Sequence, residues 1–391
     1  MASSFHFLHK PRLLHIFLIL TILTPYAISC YTSIFGFGDS LTDTGNTLYL
    51  PPPGEAPDCV LPPYGETYFH NTTGRCCDGR LIIDFIALNL GLPFVPPYFG
   101  VRNSSGAVNL EKGVNFAVIG APTLDDSFFE ERGIPNAYKH VSLRCQLNWF
   151  KDLLPSLCST PSNCKKLLQS SLLVMNFGGN DYIRTLVTAG RSVEEARSYV
   201  PLVVNTISSA INELIELEVG TIMVQGSLPF GCLSYYLAYF RSSDKEEYDS
   251  WGCLIWLNKF AEYHNELLQI KLNHIRELHP HATILYGDLY NAALPFFLSP
   301  RKFGFTKGAL IACCGTGGPL YNINPSDSCG YPPTFAFDHP SLYVNWDGFH
   351  LTEATYRLIT KGLLEGRYTI PPINTSCVST VVSAEYSTLT T

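Results

Sequence analysis

Short apolar runs of strand length, alternating with amphipathic helical patterns, constrain this chain more than any other feature. SIFGFG (33–38), VNFAVI (114–119), SLLVMNF (171–177), TIMVQG (221–226) and ATILYGD (282–288) each sit next to Gly, Asn or Asp. Between them lie the helical patterns RLIIDFIALNL (80–90), VSLRCQLNWFKDLL (141–154) and VEEARSYVPLVVNTISSAINELIEL (193–217), the last with a kink or break expected at Pro201. A further helix is expected over about 247–278, where Leu257, Ala261, Leu268, Leu272 and Ile275 recur at helical spacing. Strands apolar on both faces, joined by helical crossovers, predict an α/β fold with a parallel sheet between two helical layers. Such sheets bind ligands beyond the carboxyl ends of their strands, so the residues that follow each run are where chemistry is expected.

With 46% hydrophobic and 15% charged residues, the chain can bury a sizeable core. No Pro/Gly/Ser linker or charge block divides it, so residues 30–370 read as one domain, and the Ser/Thr-rich tail 371–391 is expected to be disordered. Residues 1–29 have the pattern of a secretory signal peptide: Lys10 and Arg12 precede a short apolar run (13–23), and Ala27-Ile28-Ser29 fits the small-x-small cleavage rule. That run is too short for stable membrane insertion. Loss of the leader removes two basic and no acidic residues, which takes the net charge from −7 to −9. An acidic chain without a Lys/Arg cluster argues against nucleic acid as a partner. The expected destination is extracellular, the apoplast first, with the vacuole and endoplasmic reticulum as alternatives.

Thirteen cysteines in an oxidising compartment read as disulfide partners, and the odd count leaves at least one thiol unpaired. The spacing permits Cys158 with Cys164, Cys232 with Cys253, and Cys329 with Cys313 or Cys314. No zinc-type ligand spacing occurs, so a metal site is the weaker reading. Sequons at Asn71, Asn103 and Asn374 are expected glycan acceptors.

After the first run comes Gly38-Asp39-Ser40-Leu41, after the second Gly120, and after the third Gly178-Gly179-Asn180-Asp181. A serine at a strand-to-helix bend presents its hydroxyl at the mouth of the sheet, where N–H groups and polar side chains can meet a developing oxyanion. Taken singly, each of these is more simply a turn glycine or an asparagine cap. A serine hydroxyl also needs a base, itself oriented by a third group. His264 falls on the apolar face of the long helix and reads as a core residue, while His274, His279 and His281 read as solvated helix-end residues. His70 and His140 have no nearby partner, and His339 competes through its neighbour Asp338, although adjacent side chains point apart. In NWDGFHLTEATY, Asp347 and His350 stand three apart in a loop ahead of a helix that begins near Thr352. That spacing lets the carboxylate hold one ring nitrogen while the other faces a serine. Leu41 fills the third-glycine position of G-x-G-x-x-G, and Thr42 stands where a G-x-S-x-G elbow needs its second glycine, so both of those sites are disfavoured.

The ordered blocks FGFGDSLTDTGN, GVNFAVIGAP, NFGGND and NWDGFHLTEATY resemble those of the plant secreted GDSL esterase/lipase family, of the SGNH hydrolase superfamily, over roughly residues 31–368. GRCCDGRLIIDF, QLNWF, PFGC and CCGTGGPLYN add to the likeness. SLRCQLNWF and CSTPSNC bring it closest to a branch with acetyl esterases of alkaloids and hydrolases of phenolic choline esters. The resemblance implies a three-layer α/β/α sandwich around a mostly parallel, five-stranded, flavodoxin-like sheet. It implies Ser40 as nucleophile and oxyanion donor, Gly120 as a backbone donor, Asn180 as a side-chain donor, His350 as general base and then acid, and Asp347 as its orienting partner. No metal or organic cofactor is needed for that chemistry. IGAP (119–122) replaces a GGAT-like run, and its Pro122, just beyond Gly120, bears on substrate preference. The expected activity is hydrolysis of a small-molecule carboxylic ester with a short acyl group, an acetyl-type ester of a plant specialised metabolite such as an alkaloid. An acyltransferase with the same site and a secreted binding protein with a vestigial site are the alternatives. The acidic run DDSFFEER (125–132) reads as a solvated face or, if it borders the cleft, as a site for a cationic alcohol.

Overall fold

The computed structural model describes residues 31–50, 58–103, 110–135, 141–318 and 320–373. The expected signal peptide, the sequon at Asn374 and the tail from residue 374 onward lie outside them. Four parallel strands, β1 (Ser33–Gly38), β2 (Ser171–Asn176), β3 (Thr221–Gln225) and β4 (Thr283–Gly287), lie side by side in chain order, and Thr369–Ile370 adds a short antiparallel fifth strand beside β4. The register aligns the strand ends, Gly38 with Asn176, Asn176 with Gln225, and Gln225 with Gly287. Every residue of β1, β2 and β3 is buried, as continuous apolar runs require of strands covered on both faces.

One expected strand is corrected. VNFAVI runs along the outer edge of β1 in parallel, through Gly36 N–H to Val114 O (3.1 Å), Phe116 N–H to Gly36 O (2.7 Å) and Val118 N–H to Gly38 O (3.1 Å). The ladder is interrupted between the last two of these because Gly38 N–H, which would complete the rung to Phe116, donates instead to Gln146 Oε1 at 2.9 Å, and Gln146 Nε2 returns a bond to Gly38 O at 2.8 Å. The segment is an extended arm joined to β1 by a single bridge, at Gly36 and Asn115. A Cβ at residue 36 would stand 2.7 Å from Asn115 Oδ1, so glycine there permits the approach.

Helices Leu143–Leu157, Val193–Glu216 and Ile255–Leu278 pack together as one layer, and Ile82–Asn89, Leu289–Leu298 and Glu353–Leu364 form the other. The helix Val193–Glu216 starts at Ser192, whose hydroxyl accepts Glu195 N–H at 3.2 Å, and buries Ala196, Val200, Val203, Ile207, Ile211 and Leu214 at helical spacing. Truncating one such side chain, Ile207→Ala for example, costs about 2–5 kcal/mol on general grounds. Pro201 lies inside this helix and does not end it. The long helix begins at Ile255, later than expected, because Tyr248 pairs with Leu254 in an isolated bridge just ahead of it. His264 is fully buried in that helix, as its place on the apolar face implied.

Candidate active site

Beyond β1 the chain turns back on itself, with Thr42 N–H and Asp43 N–H both donating to Asp39 O at 3.0 and 2.9 Å. Asp39 Oδ1 accepts Leu41 N–H at 3.0 Å, so the residues on either side of Ser40 are tied to each other. Ser40 itself keeps 9% of its surface, enough for its hydroxyl to be reached.

From the far end of the chain, strand Tyr343–Asn345 leads into residues 347–350, and Trp346 N–H closes the turn on His350 O at 2.8 Å. Asp347 Oδ1 accepts the amides of Phe349 (3.0 Å) and His350 (2.9 Å), which fixes the carboxylate to its own loop. Gly348 has φ 103°, and a Cβ there would meet Ile323 Cδ1 at 2.9 Å and Tyr235 N at 3.2 Å. Thr352 then caps the helix Glu353–Leu364 through Thr355 N–H at 3.3 Å.

These two segments meet. His350 Nε2 lies 2.7 Å from Ser40 Oγ, and His350 Nδ1 lies 2.7 Å from Asp347 Oδ2. Burial works to raise the Asp347 pKa, but the His350 charge and hydrogen bonds from His350 and Tyr64 outweigh it and hold the carboxyl below its ordinary value. An ionised Asp347 only accepts, so Nδ1 carries the proton and Nε2 is left to accept from the serine hydroxyl. His339, the competing histidine, is exposed and makes no part of this line.

Asn180 and Gly120 approach the same place through their neighbours. Asn180 Nδ2 donates to Asp39 Oδ2 at 2.9 Å and to Ala121 O at 3.3 Å, which links the residue before Ser40 to the residue after Gly120. Asp181 accepts Thr123 N–H (2.8 Å) and Leu124 N–H (2.9 Å), and Arg184 donates to Gly120 O at 3.3 Å, so the arm that bears Gly120 is held from behind. Gly120 has φ 75°, in the left-handed region that suits glycine. Burial pushes the Asp39 and Asp181 carboxyls up to about 6 each. In the acidic run, Asp125 bonds to the Ser142 hydroxyl and Asp126 Oδ1 lies 3.3 Å from Arg184. Two of its carboxylates are thus committed to the protein.

Disulfides join Cys158 to Cys164, Cys232 to Cys253 and Cys314 to Cys329, which resolves the choice left open for Cys329. A fourth, Cys59–Cys76, had no reading in the sequence. Cys77 and Cys313 are buried free thiols, and burial pushes Cys313 up to about 12, so neither offers a thiolate nucleophile. Among the described residues no helix is long and apolar enough to cross a membrane. Asn71 and Asn103 are both exposed.

The family model described as GDSL-like Lipase/Acylhydrolase matches residues 34–363. The chain is 50% identical over 359 residues to GDSL esterase/lipase At1g28590 of Arabidopsis thaliana, with 91% of this chain and 88% of the relative covered. It is 46% identical over 351 residues to the sinapine esterase of Brassica napus, with 89% of each covered. Among solved structures, an acetylxylan esterase from Geobacillus stearothermophilus aligns with 85% of this chain and 93% of its own at 13% identity and a TM-score of 0.36.

Proposed function

The chain belongs to the GDSL-like lipase/acylhydrolase family and is a carboxylic ester hydrolase, and we propose that it acts through an acyl-enzyme on Ser40. The observation that carries this reading is the unbroken line Ser40 Oγ, His350 imidazole, Asp347 carboxylate, with 2.7 Å at each step. In the first half-reaction the Ser40 oxygen attacks the acyl carbonyl while its proton passes to His350 Nε2. Asp347 holds the ring and stabilises the imidazolium that forms. The tetrahedral oxyanion is met by the amides of Ser40 and Gly120 and by Asn180 Nδ2, whose 3.3 Å bond to Ala121 O is the weaker of its two and the one more readily traded. His350 then protonates the departing alcohol. In the second half-reaction His350 takes a proton from water, whose oxygen attacks the acyl carbon, and the imidazolium then returns that proton to Ser40 Oγ as the bond to the acyl carbon breaks and the acid departs.

The substrate is a small ester, and the finer reading is a short-chain, acetyl-type ester of a plant specialised metabolite such as an alkaloid. The similarity to a sinapine esterase supports a specialised-metabolite ester. The mechanism calls on no metal or organic cofactor. Four disulfides among the described residues support a secretory destination, the apoplast first, with Asn71 and Asn103 as glycan acceptors. A screen of the purified, secreted protein against short acyl esters of varied alcohols, with Ser40→Ala as the blank, tests the reading. Activity that is confined to long acyl chains would overturn the substrate class, and full activity in Ser40→Ala would overturn the mechanism.

A further inference from the structure

We propose that Tyr64 is a positioning residue of this site: its phenol, donated to Asp347, completes the donor set that aims the carboxylate at His350, and the Cys59–Cys76 disulfide keeps it there. The inference rests on the reading of Ser40, His350 and Asp347 given above. Tyr64 is 1% exposed, and its hydroxyl donates to Asp347 Oδ2 at 2.7 Å. That is the same oxygen that faces His350 Nδ1, while Oδ1 is filled by the amides of Phe349 and His350. The Tyr64 ring packs edge-on against Trp346, the residue before Asp347, with centroids 5.8 Å apart.

The disulfide makes the contact more than a chance of packing. Tyr64 lies in the loop that Cys59–Cys76 closes over a separation of 17 residues. Both sulfurs lie within 4.8 Å of a ring nitrogen of His350, so the clamp abuts the histidine whose partner it steadies. With both sulfurs bonded to each other, this trio offers no thiolate to a cation.

A phenol on Oδ2 has two consequences that differ from those of inert packing. It draws negative charge away from the imidazole, so His350 is easier to deprotonate with Tyr64 present than without it; Asp39, the other carboxylate that acts on the His350 charge, is the same in parent and variants. It also fixes the carboxylate rotamer, and with it the ring that must receive the serine proton. Buried behind Asp347, the phenol acts on the chemical step and leaves substrate binding alone.

The test is the pH profile of kcat/KM on para-nitrophenyl acetate with the full secreted glycoprotein. Tyr64→Phe is expected to lower kcat by about 5- to 20-fold with KM nearly unchanged, and to move the acidic limb up by about half a pH unit. Near-isosteric 3-fluorotyrosine at position 64, a more acidic donor, is expected to move the limb the other way, and it keeps the test open if Tyr64→Phe fails to fold. A limb that stays in place in either variant, with kcat within about twofold of the parent, overturns the inference. Ser40→Ala, measured alongside, separates the two claims. If it is inactive while the Tyr64 profiles match the parent, only the role of Tyr64 is lost; if it is fully active, the site reading itself is lost.

Discussion

Asp43 Oδ2 accepts the backbone N–H of Ile119 at 3.1 Å, so a carboxylate three residues past Ser40 fixes the residue immediately before Gly120. Its other oxygen takes the amides of Gly45 (2.7 Å) and Asn46 (2.6 Å), and Oδ2 also takes the Thr47 hydroxyl at 2.7 Å. Asn46 Nδ2 reaches the same arm, at Asn115 O (2.7 Å) and Ala117 O (2.9 Å). The block DTGN is therefore a clamp that sets the serine turn against the glycine arm, and its polar residues are structural.

Removal of that clamp leaves several buried amides without an acceptor. Asp43→Ala is expected to destabilise the fold by roughly 3 kcal/mol, read as a lower urea midpoint, and to depress kcat through the misplaced Gly120 amide. An unchanged midpoint would show that the arm is held by other contacts.

Asn180→Ala is expected to lower kcat by about 10²- to 10³-fold, the usual loss of one oxyanion donor, with the melting temperature changed little. Steady-state kinetics beside a thermal melt separate the two effects. A fall of less than about tenfold would remove Asn180 from the donor set.

Stability is expected to rise as pH falls from about 7.5 to about 5. Burial raises Asp39, Asp78 and Asp181 to about 6 from the ordinary value of 3.8, so the folded protein binds these protons more tightly than the unfolded chain does. Their contribution is fully present below the unfolded value and is lost as pH rises through the folded one. His264, lowered to about 4 by burial, works in the opposite sense, one group against three. Asp347, held below its ordinary value, turns the trend downward only at lower pH still. Melting temperatures across this range check the sign, and a steady decline from pH 7.5 to 5 would contradict it.

Gly348→Ala places a Cβ at φ 103° and 3.2 Å from the Tyr235 amide nitrogen. The loop must shift to admit it, and Asp347 and His350 shift with it. The expected result is a kcat loss of about 10²-fold for a melting temperature lowered by only a few degrees. Parent-like kinetics would mean that the loop tolerates the change without moving the imidazole.

Much of this was legible in the sequence because it is local. Four of the strand runs were readable from their continuous apolar residues, and Asp347 with His350 from their spacing on one short loop. The fifth strand was not, since Thr369–Ile370 is too short to carry a pattern. VNFAVI read as a ladder strand because its apolar pattern is that of one; the glutamine that diverts Gly38 N–H from the ladder lies on a helix 108 residues away from Gly38. The pairing of Asp39 with Asn180 and of Tyr64 with Asp347 spans 141 and 283 residues, and no periodicity marks such contacts. Cys59–Cys76 was missed for a related reason: Cys76 and Cys77 are adjacent, and spacing alone does not say which one pairs.

The central claim is that Ser40 is the activated nucleophile, and covalent capture tests it most directly. After incubation with an organophosphonate serine probe, intact mass and peptide mapping should show one adduct, on Ser40, absent from Ser40→Ala and slowed strongly in His350→Ala. An adduct that persists on another residue in Ser40→Ala, with ester hydrolysis undiminished, would contradict the account.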